Sequence, residues 1–285
     1  MDRHWVLLAS VALLATGAAA QETPTGSLGA TNYAVDEPMP TPGGAPSFRD
    51  EFATRIDPGR WRWDTERNKA GWYNNELQYY PGPDRSNARV ENGALVLEAR
   101  HEAAKDAPDW GGQAYTSAKL VTRQSLGYGF YEIRARLPCG RGTWPAIWLL
   151  PTSGGPWPAA GEIDIMEMVG WNPDVVHATI HSAAYNHAKG TQRGAETRVA
   201  DACTAYHRYQ LDWTPQAITI GVDGRAYMKV RNDRPGGAVA WPFTRPYALI
   251  LNLAVGGDWG GKKGVDDAAL PQRMSVDYVR YWQAK

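Results

Sequence analysis

The sequence predicts an all-β protein, a sandwich or a barrel, and three observations carry that reading. In segment after segment, apolar residues recur at every second position rather than every third or fourth. Turn dipeptides such as Asn92-Gly93 and Asp223-Gly224 punctuate those segments. No stretch offers the wide apolar stripe of a long amphipathic helix. The length of 285 residues suits one large β domain, and neither an internal repeat nor a further domain is visible.

Taken in order, the elements begin after a Pro/Gly-rich stretch. Ala94 to Arg100 (ALVLEAR) is apolar and extended and follows the Asn92-Gly93 turn. Gly129 to Leu137 alternates cleanly, with Phe130, Glu132, Arg134 and Arg136 on one side and Tyr131, Ile133, Ala135 and Leu137 on the other. That wet face is expected to floor a cleft. Gly161 to Met168 (GEIDIMEM) is a strand marked by Ile163 and Ile165. Ala217 to Gly224 ends in a hairpin turn, Tyr247 to Gly257 is almost continuously apolar, and Met274 to Trp282 closes the chain with period two.

Composition narrows the function classes. Lys plus Arg and Asp plus Glu are 30 each, so no net charge draws the chain to nucleic acid or an anionic membrane. There are 13 Trp and 14 Tyr against 4 Phe, an excess of rings with polar handles that suits half-exposed sugar platforms. Residues 1–20 read as a signal peptide: Arg3 precedes an apolar run that closes on Ala18, Ala19 and Ala20. Residues 21–46 read as a Pro/Gly-rich leader, and 47–285 as the domain. A secreted or periplasmic location follows, with no membrane contact after cleavage. Export permits a bond between the only two cysteines, Cys139 and Cys203.

The carboxylates of GEIDIMEM are the most informative group. By the two-residue period Glu162 and Asp164 share a face, while Glu167 has the opposite parity and would point into the core. A β-bulge near Ile165 to Met166 turns Glu167 back to its partners. Three carboxylates on one face raise the pKa of at least one, which is what glycoside hydrolysis asks for. A retaining enzyme needs a nucleophile and a protonated acid roughly 5 Å apart. Asp164, shorter, suits a tuning role in a set that titrates together.

With those residues in hand, the segments NNELQYY, YGFYEIRARLP, GTWPAIWLLP, GEIDIMEM, ILNLAVGGDWGG and VDYVRYW together resemble glycoside hydrolase family 16, in its bacterial laminarinase branch. The resemblance spans about Phe48 to Trp282. It implies a β-jelly-roll sandwich of two curved antiparallel sheets with a concave substrate cleft. It implies Glu162 as nucleophile, Asp164 as assisting carboxylate and Glu167 as acid/base. The extra Met resembles the bulged laminarinase form; lichenases of the family commonly lack it. Asn74, Glu132, Arg134 and Trp157 match sugar-binding positions, and Trp144 and Trp259 are further candidates for ligand contact. Trp259 stands in a Gly-rich loop with no strand partner to cover it. His181 matches a histidine beside the assisting Asp, although His177 shares its parity.

The resemblance also implies one structural Ca²⁺ away from the cleft, at Glu51, the Gly93 carbonyl and Asp277. No zinc spacing or phosphate loop is present, so no cofactor is expected for catalysis. The expected activity is endo-hydrolysis of β-1,3 bonds in laminarin-like glucans by a monomer. The alternatives are a β-1,3-1,4-glucanase, another polysaccharide hydrolase of the family, or a β-glucan-binding protein without activity. The last would lack the glutamates that this chain keeps. A Cys139–Cys203 bond would tie a cleft-side loop to another surface segment.

Overall fold

Alternation of this kind buries one side of each strand, and two such sheets can only hide their apolar sides against each other. The computed structural model, which describes residues 33–232 and 236–285, shows that arrangement. A nine-stranded sheet runs in the order Ala34–Pro38, Arg225–Arg231, Ala217–Val222, His207–Trp213, Gly129–Arg136, Gln272–Gln283, Ala94–Ala99 and Ala88–Glu91, with Phe48–Asp50 also paired to Gln272–Gln283. A seven-stranded sheet runs Arg193–Arg198, Val175–His181, Glu162–Glu167, Thr143–Pro151, Tyr247–Val255, Ala118–Thr122 and Trp61–Trp63. Pairing within both sheets is antiparallel. The result is a β-jelly-roll sandwich.

One core lies between the sheets. Tyr131, Ile133 and Ala135 of one meet Ile147, Leu149, Ile163 and Ile165 of the other. Among the described residues no helix is long and apolar enough to cross a membrane. The expected signal peptide and the first part of the leader lie outside the described residues. The rest of the leader is structured: Ala34–Pro38 pairs with Arg225–Arg231, so the sheet begins before residue 47. Cys139 and Cys203 form a disulfide with Cα atoms 5.8 Å apart.

The face presented by Glu132 and Arg134 corrects one expectation. Their strand lies inside the nine-stranded sheet, and the face opposite Tyr131 and Ile133 is that sheet's outer surface, with the core between it and the carboxylate strand. Glu132 accepts hydrogen bonds from Gln210 (2.7 Å) and Tyr278 (2.8 Å). Arg134 pairs with Asp277 and lies over the Tyr206 ring. Neither contributes to a cleft floor. Period two identifies two faces of a strand; it does not say which sheet the strand joins.

Candidate active site

Strand Glu162–Glu167 sits third in the seven-stranded sheet, and its register carries the irregularity that its sequence demands. Against Thr143–Pro151, Ile147 faces Met166 while Trp148 faces Asp164. Against Val175–His181, Asp164 faces Thr179 and Glu167 faces His177, three residues opposite two. One extra residue is therefore taken up at Ile165–Met166, and both of those side chains are fully buried in the core. Glu167 consequently returns to the solvent side of the sheet with Glu162 and Asp164.

The three carboxylates sit where water is scarce and like charges are close. Burial, then the charge of Asp164, pushes Glu162 well above the usual carboxylate range, against the opposing pull of His181. Burial pushes Asp164 to about 8, partly offset by a hydrogen bond with Glu162. Burial and Asp164 push Glu167 to about 8, and an indole hydrogen bond from Trp144 pulls it down. His181 lies with Nε2 3.3 Å from Asp164 Oδ2 and 3.7 Å from Glu162 Oε1. A carboxylate pair that shares a hydrogen bond holds a proton between its members, so the set exchanges protons as a unit.

Indoles and imidazoles surround this group. Trp157 is 40 % exposed, and its ring lies 4.8 Å from that of His187 and 5.9 Å from that of His181. Trp144 donates from Nε1 to Glu167 Oε1 at 3.0 Å and meets Trp259 edge to face at 5.3 Å. Trp259 packs in turn on His177, at 5.0 Å. The expectation that Trp259 stands uncovered in its loop is corrected here. It is buried between Trp144 and His177, because the turn at Gly256 and Gly257, both at positive φ, folds the loop back over the sheet. Its Nε1 has no protein partner. Asn74 is exposed; its carbonyl accepts from Asp258 N at 2.8 Å, which ties its turn to that same loop.

Several groups in the cleft escaped the sequence reading. Glu76, two residues past Asn74, has its pKa raised by burial and adds to the repulsion on Glu167. A row of cross-strand neighbours runs from Glu167 through Ala146 to Asn252 and Lys119. Asn252 accepts from Trp148 Nε1 at 2.7 Å, and Lys119 pairs with Asp64 at 2.9 Å. The signal for both was present: Asn252 interrupts an otherwise apolar strand and Lys119 is the one charge in AKLVT, each at the parity that leaves the core.

The expected calcium ligands can be tested on register. Strand Gln272–Gln283 pairs with Ala94–Ala99 as far as Val276 opposite Leu95, and with Phe48–Asp50 from Val279 opposite Asp50. Gly93 and Glu51 thus approach the same gap, at Asp277 and Tyr278, where the strand is irregular. Backbone placement fits a cation. The Glu51 carboxylate does not, because Arg280 holds both of its oxygens at 2.9 and 2.8 Å.

Carboxylates that share protons beside an exposed indole, Trp157, and a half-buried one, Trp144, on a β-sandwich are the equipment of a polysaccharide-cleaving enzyme, and glycoside hydrolases are the class to which this fold and site assign the chain. It belongs to the glycosyl hydrolases family 16, which it matches over residues 75–280. It is 50 % identical over 246 residues to a beta-glucanase of Rhodothermus marinus, covering 83 % of this chain and 84 % of that protein. It resembles the crystal structure of SCLam, a non-specific endo-beta-1,3(4)-glucanase, with a TM-score of 0.86 and 51 % identity over 92 % of this chain and 98 % of that one. The laminarinase from Rhodothermus marinus follows at a TM-score of 0.79 and 49 % identity, over 85 % and 98 %.

Proposed function

We infer that this chain is a retaining endo-glucanase that cleaves internal β-1,3 bonds of laminarin-like glucans. One observation carries the reading: a bulge places Glu162, Asp164 and Glu167 on one solvent-facing surface, where burial keeps protons on carboxylates at neutral pH. Glu162 attacks the anomeric carbon as Glu167 gives its proton to the departing glycosidic oxygen. Glu167, now ionised, takes a proton from water, and the water opens the glycosyl ester and frees Glu162. Glu162 reacts as the anion while Asp164 keeps the proton that the pair shares, with His181 Nε2 beside both carboxylates. The chemistry needs no catalytic cofactor.

Glu162→Gln and Glu167→Gln are expected to lower laminarin hydrolysis by at least about 10³-fold while glucan binding survives. A variant that retains near-normal turnover would remove its residue from the mechanism. Proton NMR of the first products should show the β anomer; a prompt α signal would mean inversion. Likeness to an enzyme named as non-specific supports cleavage of mixed-linkage β-1,3-1,4-glucan as well. Parallel digestion of laminarin, lichenan, agarose and carrageenan separates these readings by their products.

Two further parts of the reading concern context. The apolar segment before Gln21 and the Cys139–Cys203 bond support an exported protein, secreted or periplasmic. We assign a structural calcium ion to Asp277 and the Gly93 carbonyl, at a break in strand pairing; Arg134 engages Asp277 through Oδ2, so Oδ1 and the backbone carbonyls there are the hard oxygen donors. Calcium should raise the melting temperature and a chelator lower it, with kcat at 25 °C unchanged. No shift in a calorimetric scan would dismiss the site.

A further inference from the structure

Three ligand atoms in the cleft stand unusually close. The imidazole of His181 and the carboxylates of Glu162 and Asp164 each offer one atom, and the three lie within 4.8 Å of one another. Nε2 of His181 is 3.3 Å from Asp164 Oδ2 and 3.7 Å from Glu162 Oε1. Ligands about 2.0–2.1 Å from a tetrahedral ion lie roughly 3.4 Å from each other. These separations therefore already approximate two edges of a zinc tetrahedron.

A second observation is independent of the spacing. Asp164 is 2 % exposed, and its Oδ2, the oxygen nearest His181, has no hydrogen-bond partner. A buried carboxylate oxygen left without a donor is costly. A cation at the centre of the trio would satisfy it. The backbone supports the arrangement, since His181 is the direct cross-strand neighbour of Glu162 and Thr179 that of Asp164. One imidazole and two carboxylates with the fourth position toward the cleft suit Zn²⁺; they do not give Ca²⁺ or Mg²⁺ the six or more oxygens they take.

We propose that Glu162, Asp164 and His181 form an inhibitory zinc site, at which Zn²⁺ captures the nucleophile and competes with the glucan for the cleft. Coordination needs the lone pair on Nε2, so the ring proton sits on Nδ1, which is buried without an acceptor. Dedicated zinc sites orient that second nitrogen with a partner worth about 10–100-fold in affinity. Binding here is accordingly weaker than at a dedicated site by about that factor, and reversible by a chelator.

The binding claim stands on the three side chains; the inhibition claim rests on the hydrolase reading. Zinc chloride is titrated calorimetrically into the full-length protein, into His181→Gln and into Glu167→Gln, which keeps all three ligands. We expect one zinc per chain in wild type and in Glu167→Gln, at least about tenfold weaker binding in His181→Gln, and suppression of the heat when Glu167→Gln is saturated with a laminari-oligosaccharide. In kinetics, zinc should raise KM for laminarin with kcat unchanged, and EDTA should restore it. Equal binding by His181→Gln, or zinc heat unaffected by the oligosaccharide, would overturn the proposal; the second measurement needs no change at His181. An enzyme inert toward laminarin without metal would instead overturn the hydrolase reading and leave the zinc site standing.

Discussion

Glu167 has two carboxyl oxygens, and Trp144 takes one of them. Because Nε1 of Trp144 donates to Oε1, the proton that Glu167 delivers is carried on Oε2. The same bond favours the ionised form and works against burial, Asp164 and Glu76, all of which favour the neutral one. His181 adds an opposing pull, and His177, itself pushed down to about 4 by burial, faces Glu167 across the strands as a neutral ring. Trp144→Phe leaves a smaller aromatic ring against Trp259 and removes the donor. Glu167 should then hold its proton to higher pH than it does at about 8. Since glycosyl transfer requires the protonated acid, the alkaline limb of the kcat/KM profile moves upward, and the acidic limb stays in place. Loss of a charge-assisted hydrogen bond costs about 1.5–3 kcal/mol, so kcat should fall roughly 10- to 100-fold. An unmoved alkaline limb would reduce Trp144 to a wall of the cleft.

At the scale of elements, the extra residue at Ile165–Met166 decides whether the site exists. It lets Ile165 and Met166 both enter the core and still leaves Glu167 outside. Inserting one alanine after Met166 should turn Glu167 inward, because a one-residue shift exchanges the two faces of a strand. Activity would vanish, and the buried carboxylate would cost several kcal/mol of stability. Full activity in that variant would mean that Glu167 is placed by its loop and not by strand parity. Parity made this bulge legible beforehand, since an unpaired Glu in the core was the alternative. The same rule misplaced Glu132 and Arg134, whose strand has two good faces but lies in the far sheet, where Gln210, Tyr278 and Asp277 already satisfy them.

Across the whole molecule, one crosslink joins the two halves of the chain's path. Cys139 follows the strand Gly129–Arg136, and Cys203 precedes His207–Trp213, which pairs with it. The 64 residues of sequence separation hold four strands of the seven-stranded sheet, including the one with all three carboxylates. Closing so long a loop restricts the unfolded chain by about 4 kcal/mol in the chain-entropy view. Replacing both cysteines with serine should lower the melting temperature by on the order of 10 °C. Activity at 25 °C should persist, since neither sulfur touches the carboxylates. An unchanged melting temperature would show that the bond adds nothing that the two sheets do not already provide.

What could be read from residues alone was local and periodic. The all-β class, the strands from Ala94 to Trp282, the kink and the three carboxylates follow from alternation along a strand and from the cost of burying a charge, both properties of neighbouring residues. What needed three dimensions was which sheet each strand joins, and therefore which polar residues meet. Glu76, Asn252, Lys119 and the Trp144–Trp259–His177 contact come from separate segments, and only the pairing order gathers them on the face that carries Glu167. Backbone hydrogen bonds accept almost any pair of strands. The choice among them is made by how all the apolar faces can be covered at once, a property that no single segment carries.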